Sequence, residues 1–110
     1  MTDEHIDKIK SAVEAAEHIP SEHKAELLDR LSKLKPTIAH VAQTHGEHAQ
    51  SITRFVETST HEATRKEKRP EHLRTALRGL KQSVERFEAS HPELVASVNE
   101  YSTLLSAWGL

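Results

Sequence analysis

The strongest constraint in this chain is an apolar seam that advances in alternating steps of four and three. It runs Leu27, Leu31, Leu34, Ile38, Val41, His45, His48, Ile52, Phe55, Ser59, so that two adjacent positions are histidines. This spacing puts one stripe along one side of a helix and matches the a/d repeat of helices packed side by side. Pro36 lies inside the seam without resetting its phase. A proline in a helix interior costs about 3 kcal/mol, but a true break would normally restart the hydrophobic register. The phase therefore predicts one long kinked helix from about 22 to 68, read through Gly46 because no capping residue follows it.

The flanking segments complete an all-α reading. Ile6, Ile9, Val13 and Ala16 predict a first helix over about 3 to 18, capped by Thr2 or Asp3. Ile19-Pro20-Ser21 then turns the chain, with Ser21 as the next cap, into an antiparallel hairpin. Basic residues from Arg65 to Arg69 and then Pro70 close the long helix. Leu73, Leu77, Leu80, Val84 and Phe87 predict a helix over about 71 to 88. Ser90 and Glu93 have the spacing of a capping box for a last helix over about 91 to 107, burying Leu94, Val98, Tyr101, Leu105 and Trp108. Gly109 and Leu110 read as a glycine stop with an apolar contact beyond it. The expected fold is a single all-α domain over 1–110, a helical hairpin or bundle built on the long kinked helix.

Composition narrows the functional classes. With no cysteine, disulfides and thiolate metal sites are excluded. The opening residues are acidic, and nowhere do 18 apolar residues run together, so the expectation is a soluble, cytoplasmic protein without a membrane role. Charge is uneven: residues 54–86 hold nine Lys/Arg against five Glu, and the remainder six against twelve acids. The nine histidines make net charge unusually dependent on pH.

Candidate chemistry is sparse. His45 and His48, at i and i+3, share a helix face and are candidate metal ligands, but the set is incomplete. The one Glu-x-x-His, Glu88 to His91, straddles a predicted helix break instead of lying within a helix as a di-iron bundle requires. Glu57 and His61 form an i,i+4 pair with no nucleophile or oxyanion donors near it in sequence. A basic face of Arg65, Lys66, Lys68, Arg69, Arg74, Arg78 and Lys81 has the charge to neutralise phosphates, although glutamates are interleaved and no aromatic accompanies it.

The element Phe87-Glu88-Ala89-Ser90-His91-Pro92-Glu93-Leu94, followed by an amphipathic helix, resembles a family of small bacterial helical proteins described only as a domain of unknown function. Thr44 to Ile52 and His61 to Arg65 are similar to longer members, so the resemblance covers most of residues 22 to 110. It implies a small bacterial helical protein and supplies no catalytic or ligand residues.

These readings converge on a non-enzymatic helical interaction module with no cofactor. A continuous helix of about 47 residues would be roughly 70 Å long, leaving its middle uncovered by its own chain. The expected partner is a second copy, crossing at Ile38, Val41, His45, His48, Ile52 and Phe55. An unidentified protein partner is a further expectation. The alternatives are a nucleic-acid-associated protein using the basic face and a histidine-dependent metal-binding protein.

Overall fold

The fold is described from a computed structural model covering residues 2–109, with side chains from residue 4 to residue 108. Five helices follow one another, α1 (Thr2–Ala15), α2 (Ser21–Ala42), α3 (Gly46–Thr64), α4 (Pro70–Glu85) and α5 (Pro92–Gly109). The Thr2 and Asp3 side chains expected to cap α1, and the expected contact of Leu110, lie outside the described residues. Ser21 opens α2 as its first helical residue, with Pro20 in the capping position.

The predicted long helix is interrupted, and the interruption is not at the proline. Pro36 sits inside α2 on the exposed side. There the carbonyl of Ser32, which loses its backbone donor, is on a face open to solvent. The chain reverses instead over Gln43–His45, where His45 leaves the helical region at φ −134°, ψ 60°. His45 N–H donates to the Val41 carbonyl at 2.8 Å to close α2, and Ala49 N–H donates to the His45 carbonyl at 3.0 Å to open α3. Thr44, His45 and Gly46 are weak helix formers in succession, which makes this the cheapest place to turn. Three non-helical residues are close to one helical turn, so the apolar phase passes over the gap and hides it.

The consequence is that α2 and α3 fold against each other. Leu27, Leu31, Leu34, Ile38 and Val41 are all fully buried within the chain's own core. On α3 the buried stripe is Ala49, Ile52, Thr53, Val56, Ser59, Thr60 and Ala63, broader than the predicted seam because α3 packs against all four other helices. Phe55, a predicted seam position, falls on its edge and stays 36 % exposed, with its ring over Gly79 of α4. The extents of 37 × 25 × 19 Å leave no room for a 70 Å helix. Among the described residues, no helix is long and apolar enough to cross a membrane.

Polar groups pin the helices in register. Lys35 reaches Asp7 at 2.9 Å and Lys24 donates to the Glu14 carbonyl at 3.0 Å, fixing α1 antiparallel to α2. Lys68 donates to the carbonyls of Ala63 and Trp108 at 3.1 and 3.0 Å, placing a cation at the C-terminal ends of α3 and α5, where the helix dipoles favour it. Phe87 and Leu94 are buried on either side of the α4–α5 turn as the spacing predicts. The capping box is not formed. α5 starts at Pro92, which puts His91 at the cap, and Ser90 one residue too early and exposed.

In the core, the Thr60 hydroxyl donates to the Val56 carbonyl at 2.7 Å and therefore accepts from the hydroxyl of Tyr101, which is fully buried. Burial pushes the Tyr101 hydroxyl well above its ordinary value near 10. The folded chain thus keeps this proton at a pH where the unfolded chain releases it, so the contribution to stability is complete below about pH 10 and lost as pH rises beyond it. Thermal unfolding followed by circular dichroism should show the melting temperature falling above that pH. Tyr101→Phe should start about 1 kcal/mol less stable at neutral pH and show a shallower alkaline decline.

Candidate functional site

The α2–α3 reversal and the α4–α5 turn meet at one end of the bundle, and there His40, His45 and His48 are brought together with Phe87 and His91. The rings of His45, His48 and His91 lie edge-on to Phe87 with centroids 5.3, 5.7 and 5.7 Å away. His40 of α2 meets His91 edge-on at 5.0 Å. Arg86 covers the same ring at 5.5 Å from its centroid and donates from Nη1 to His48 Nε2 at 2.7 Å. Arginine can only donate, so His48 Nε2 is the acceptor of this bond. Thr44 Oγ1 and His45 Nδ1 are hydrogen-bonded at 2.8 Å.

This arrangement changes the meaning of the two seam histidines. His45 and His48 do lie together, 6.0 Å apart. What covers them is Phe87 of the same chain, at the place where a two-fold axis was expected. Ile38, Val41 and Ile52, three of the six expected interface residues, are fully buried in the core. They cannot meet a second copy without opening the bundle, because the reversal brings α3 onto the stretch of α2 that a continuous helix would have left bare. Among the described residues, no group of three or more His, Asp and Glu is placed to hold a metal ion. His40 is not marked by any sequence motif, and His91 stands out only as the end of the Glu88 to His91 spacing, not as a neighbour of His40.

The other charged candidates are dispersed. The Glu57 carboxylate pairs with His5 of α1 at 3.0 Å, while His61 lines a groove between α1 and α3. The basic face splits in two. Arg65 is paired with Glu62 at 3.0 Å and Lys68 is spent on helix-end carbonyls, which leaves both in structural roles. Lys66 and Arg69 are exposed in and beside the α3–α4 loop. Arg74, Arg78 and Lys81 instead line a groove of about 370 Å³ with Asn99, Ser102 and Ser106 of α5.

A larger groove of about 820 Å³ opens between α1, α3 and the loop after α3. Its floor is apolar, formed by Ile9, Ala12, Val13, Ala16 and Ile19. It exists because α1 packs only on α2 and α3, and because the small side chains of Ala12 and Ala16 leave its outer face low. Lys8, Lys66, Glu57 and Glu67 stand among its lining residues, so cations and carboxylates share the rim.

If the histidine end is a packing site centred on one aromatic, Phe87→Ala should cost about 3 to 5 kcal/mol in chemical unfolding. Phe55→Ala should cost clearly less, because its ring is partly in solvent. Ser90→Ala should fall within about 0.5 kcal/mol of the parent, as for a surface residue without a cap to lose. No protein-family model, curated protein or solved structure matches this chain.

Proposed function

We propose that this protein is a non-enzymatic helical interaction module of the cytoplasm that self-associates through the groove between α1 and α3. The observation carrying this reading is that the groove opens to the surface beside exposed Ala12 and half-buried Ala16 of α1, over a floor of Ile9, Val13 and Ile19, whereas the long apolar seam is consumed inside the fold. Small residues at Ala12 and Ala16 permit close approach of another helix.

The rim favours a second copy of this chain as the occupant. Lys8 and Lys66 stand with Glu57 and Glu67 around one opening. A two-fold contact sets each rim against its own copy, so that mixed charges can pair across it, whereas a rim of one sign would repel itself. The dimer of this proposal is therefore built on the outer face of α1, which differs from the crossing at His45 and His48 expected from the seam. The non-enzymatic reading is supported by the separation of the candidate acid–base groups: Glu57 is engaged by His5, and the histidine cluster is built around a phenylalanine.

Sedimentation equilibrium at micromolar concentration and pH 7.5 tests this. The parent chain should sediment at twice its 12.4 kDa, and Ala12→Glu, an exposed change on α1, should return a folded monomer. A monomeric parent, or a variant that remains dimeric, would contradict the assignment of this face.

A further inference from the structure

We infer that the groove between α4 and α5 binds a short phosphate chain, the diphosphate of a small phosphorylated ligand or free diphosphate itself. Three cations, Arg74, Arg78 and Lys81, follow one another along α4 at helical spacing and line this groove. No carboxylate lines it with them, and among the described residues none of the three has an acidic partner within ion-pair distance. Asn99, Ser102 and Ser106 of α5 line the same groove and add neutral hydrogen-bonding side chains to the three cations.

The Ser102 hydroxyl is an independent sign. Its Oγ is shut away from solvent and has no hydrogen-bond partner. Ser59 Oγ is likewise unpartnered but is sealed in the core, whereas other helical hydroxyls turn back onto the carbonyl four residues earlier, as Thr53, Thr60, Thr64, Thr75 and Thr103 do. Ser102 does not. This hydroxyl lines the groove that Arg74 and Arg78 line, so its proton is free to turn toward an anion held there, and charge-assisted bonds of that kind are the strong ones.

Size and shape select the class of anion. Arg74 to Lys81 spans about 10 Å at 1.5 Å per residue, longer than one phosphate needs and suited to linked phosphoryl groups bridging successive cations. The volume of about 370 Å³ falls at the small end of ligand sites. None of the residues lining the groove is aromatic, so nothing is offered for base stacking, and this favours a phosphate chain over single-stranded nucleic acid. Arginine supplies the planar, two-pronged donor geometry that phosphate oxygens accept.

Isothermal titration of the full-length protein with inorganic diphosphate, at fixed ionic strength, tests the proposal. We expect one saturable site per chain, with orthophosphate weaker by about tenfold and chloride inert, as loss of one bridging rung implies. Arg78→Gln should weaken diphosphate by about tenfold or more and Ser102→Ala by several-fold. Arg54→Gln, an exposed cation outside the groove, should leave it unchanged. Circular dichroism confirms that each variant is folded. A nucleoside diphosphate that binds as tightly as diphosphate assigns the site to the phosphate chain alone, and tighter binding assigns it to a phosphorylated small molecule. The proposal is overturned by an absence of saturable binding, by equal losses in Arg54→Gln and Arg78→Gln, or by an oligonucleotide that displaces diphosphate with a steep salt dependence.

Discussion

The reversal at Gln43–His45 is the constraint on which the rest of this structure depends. By ending α2 at Ala42 and restarting at Gly46, it lays two halves of one apolar seam against each other. Burial of that kind is worth roughly 1.5 to 3 kcal/mol for each large aliphatic side chain. The fully buried seam residues of α2 alone, from Leu27 to Val41, therefore outweigh the backbone cost of three non-helical residues and an interior proline. Once α3 has doubled back it becomes the central helix, touching the other four. Its interior then has to accommodate Thr53, Ser59 and Thr60 among the aliphatic side chains.

That central position explains two features at opposite sides of the molecule. At the reversal, α2 and the α4–α5 turn converge, so Phe87 becomes the shared packing partner of histidines drawn from three segments. Arg86 then satisfies His48 instead of a carboxylate. Away from it, α1 rests only on α2 and α3, and its outer face is left as a groove. The two features differ in kind. The histidine end is closed by the chain's own aromatic residue, whereas the α1–α3 groove opens to the surface over an apolar floor.

Much of the fold was legible in the sequence because periodicity reports which face of a helix is buried. Ile6, Ile9 and Val13 in α1, Leu73 to Val84 in α4, and Leu94, Val98, Tyr101 and Leu105 in α5 are buried as their spacing indicates. Pro36 lies within a helix, as the unbroken apolar phase around it predicts. What periodicity does not report is a turn whose length is close to one helical repeat, so the seam predicts one helix where Gln43–His45 separates two. The displaced interface follows from that turn. The expected interface at Ile38, Val41 and Ile52 assumed an uncovered helix middle, and the meeting of His40, His48 and His91 requires the fold-back. Phe55 escaped for a related reason, since the stripe of α3 widens once four helices surround it. The basic residues were recognised, but sequence alone did not divide those spent on Glu62 and helix-end carbonyls from those facing Ser102.

The most direct test of this account is the distance between one residue on each side of the reversal. The chain has no cysteine, so spin labels can be placed solely at Ala25 and Thr58, both exposed, by substituting cysteine at those two sites. Diluting the labelled chain with unlabelled protein keeps the measured distance within one molecule. Folded back, the two sites lie within the 37 Å longest extent of the domain, and a dipolar distance distribution centred below that value is the predicted result. A distribution centred near 50 Å, the separation along an uninterrupted helix at 1.5 Å per residue, would contradict it.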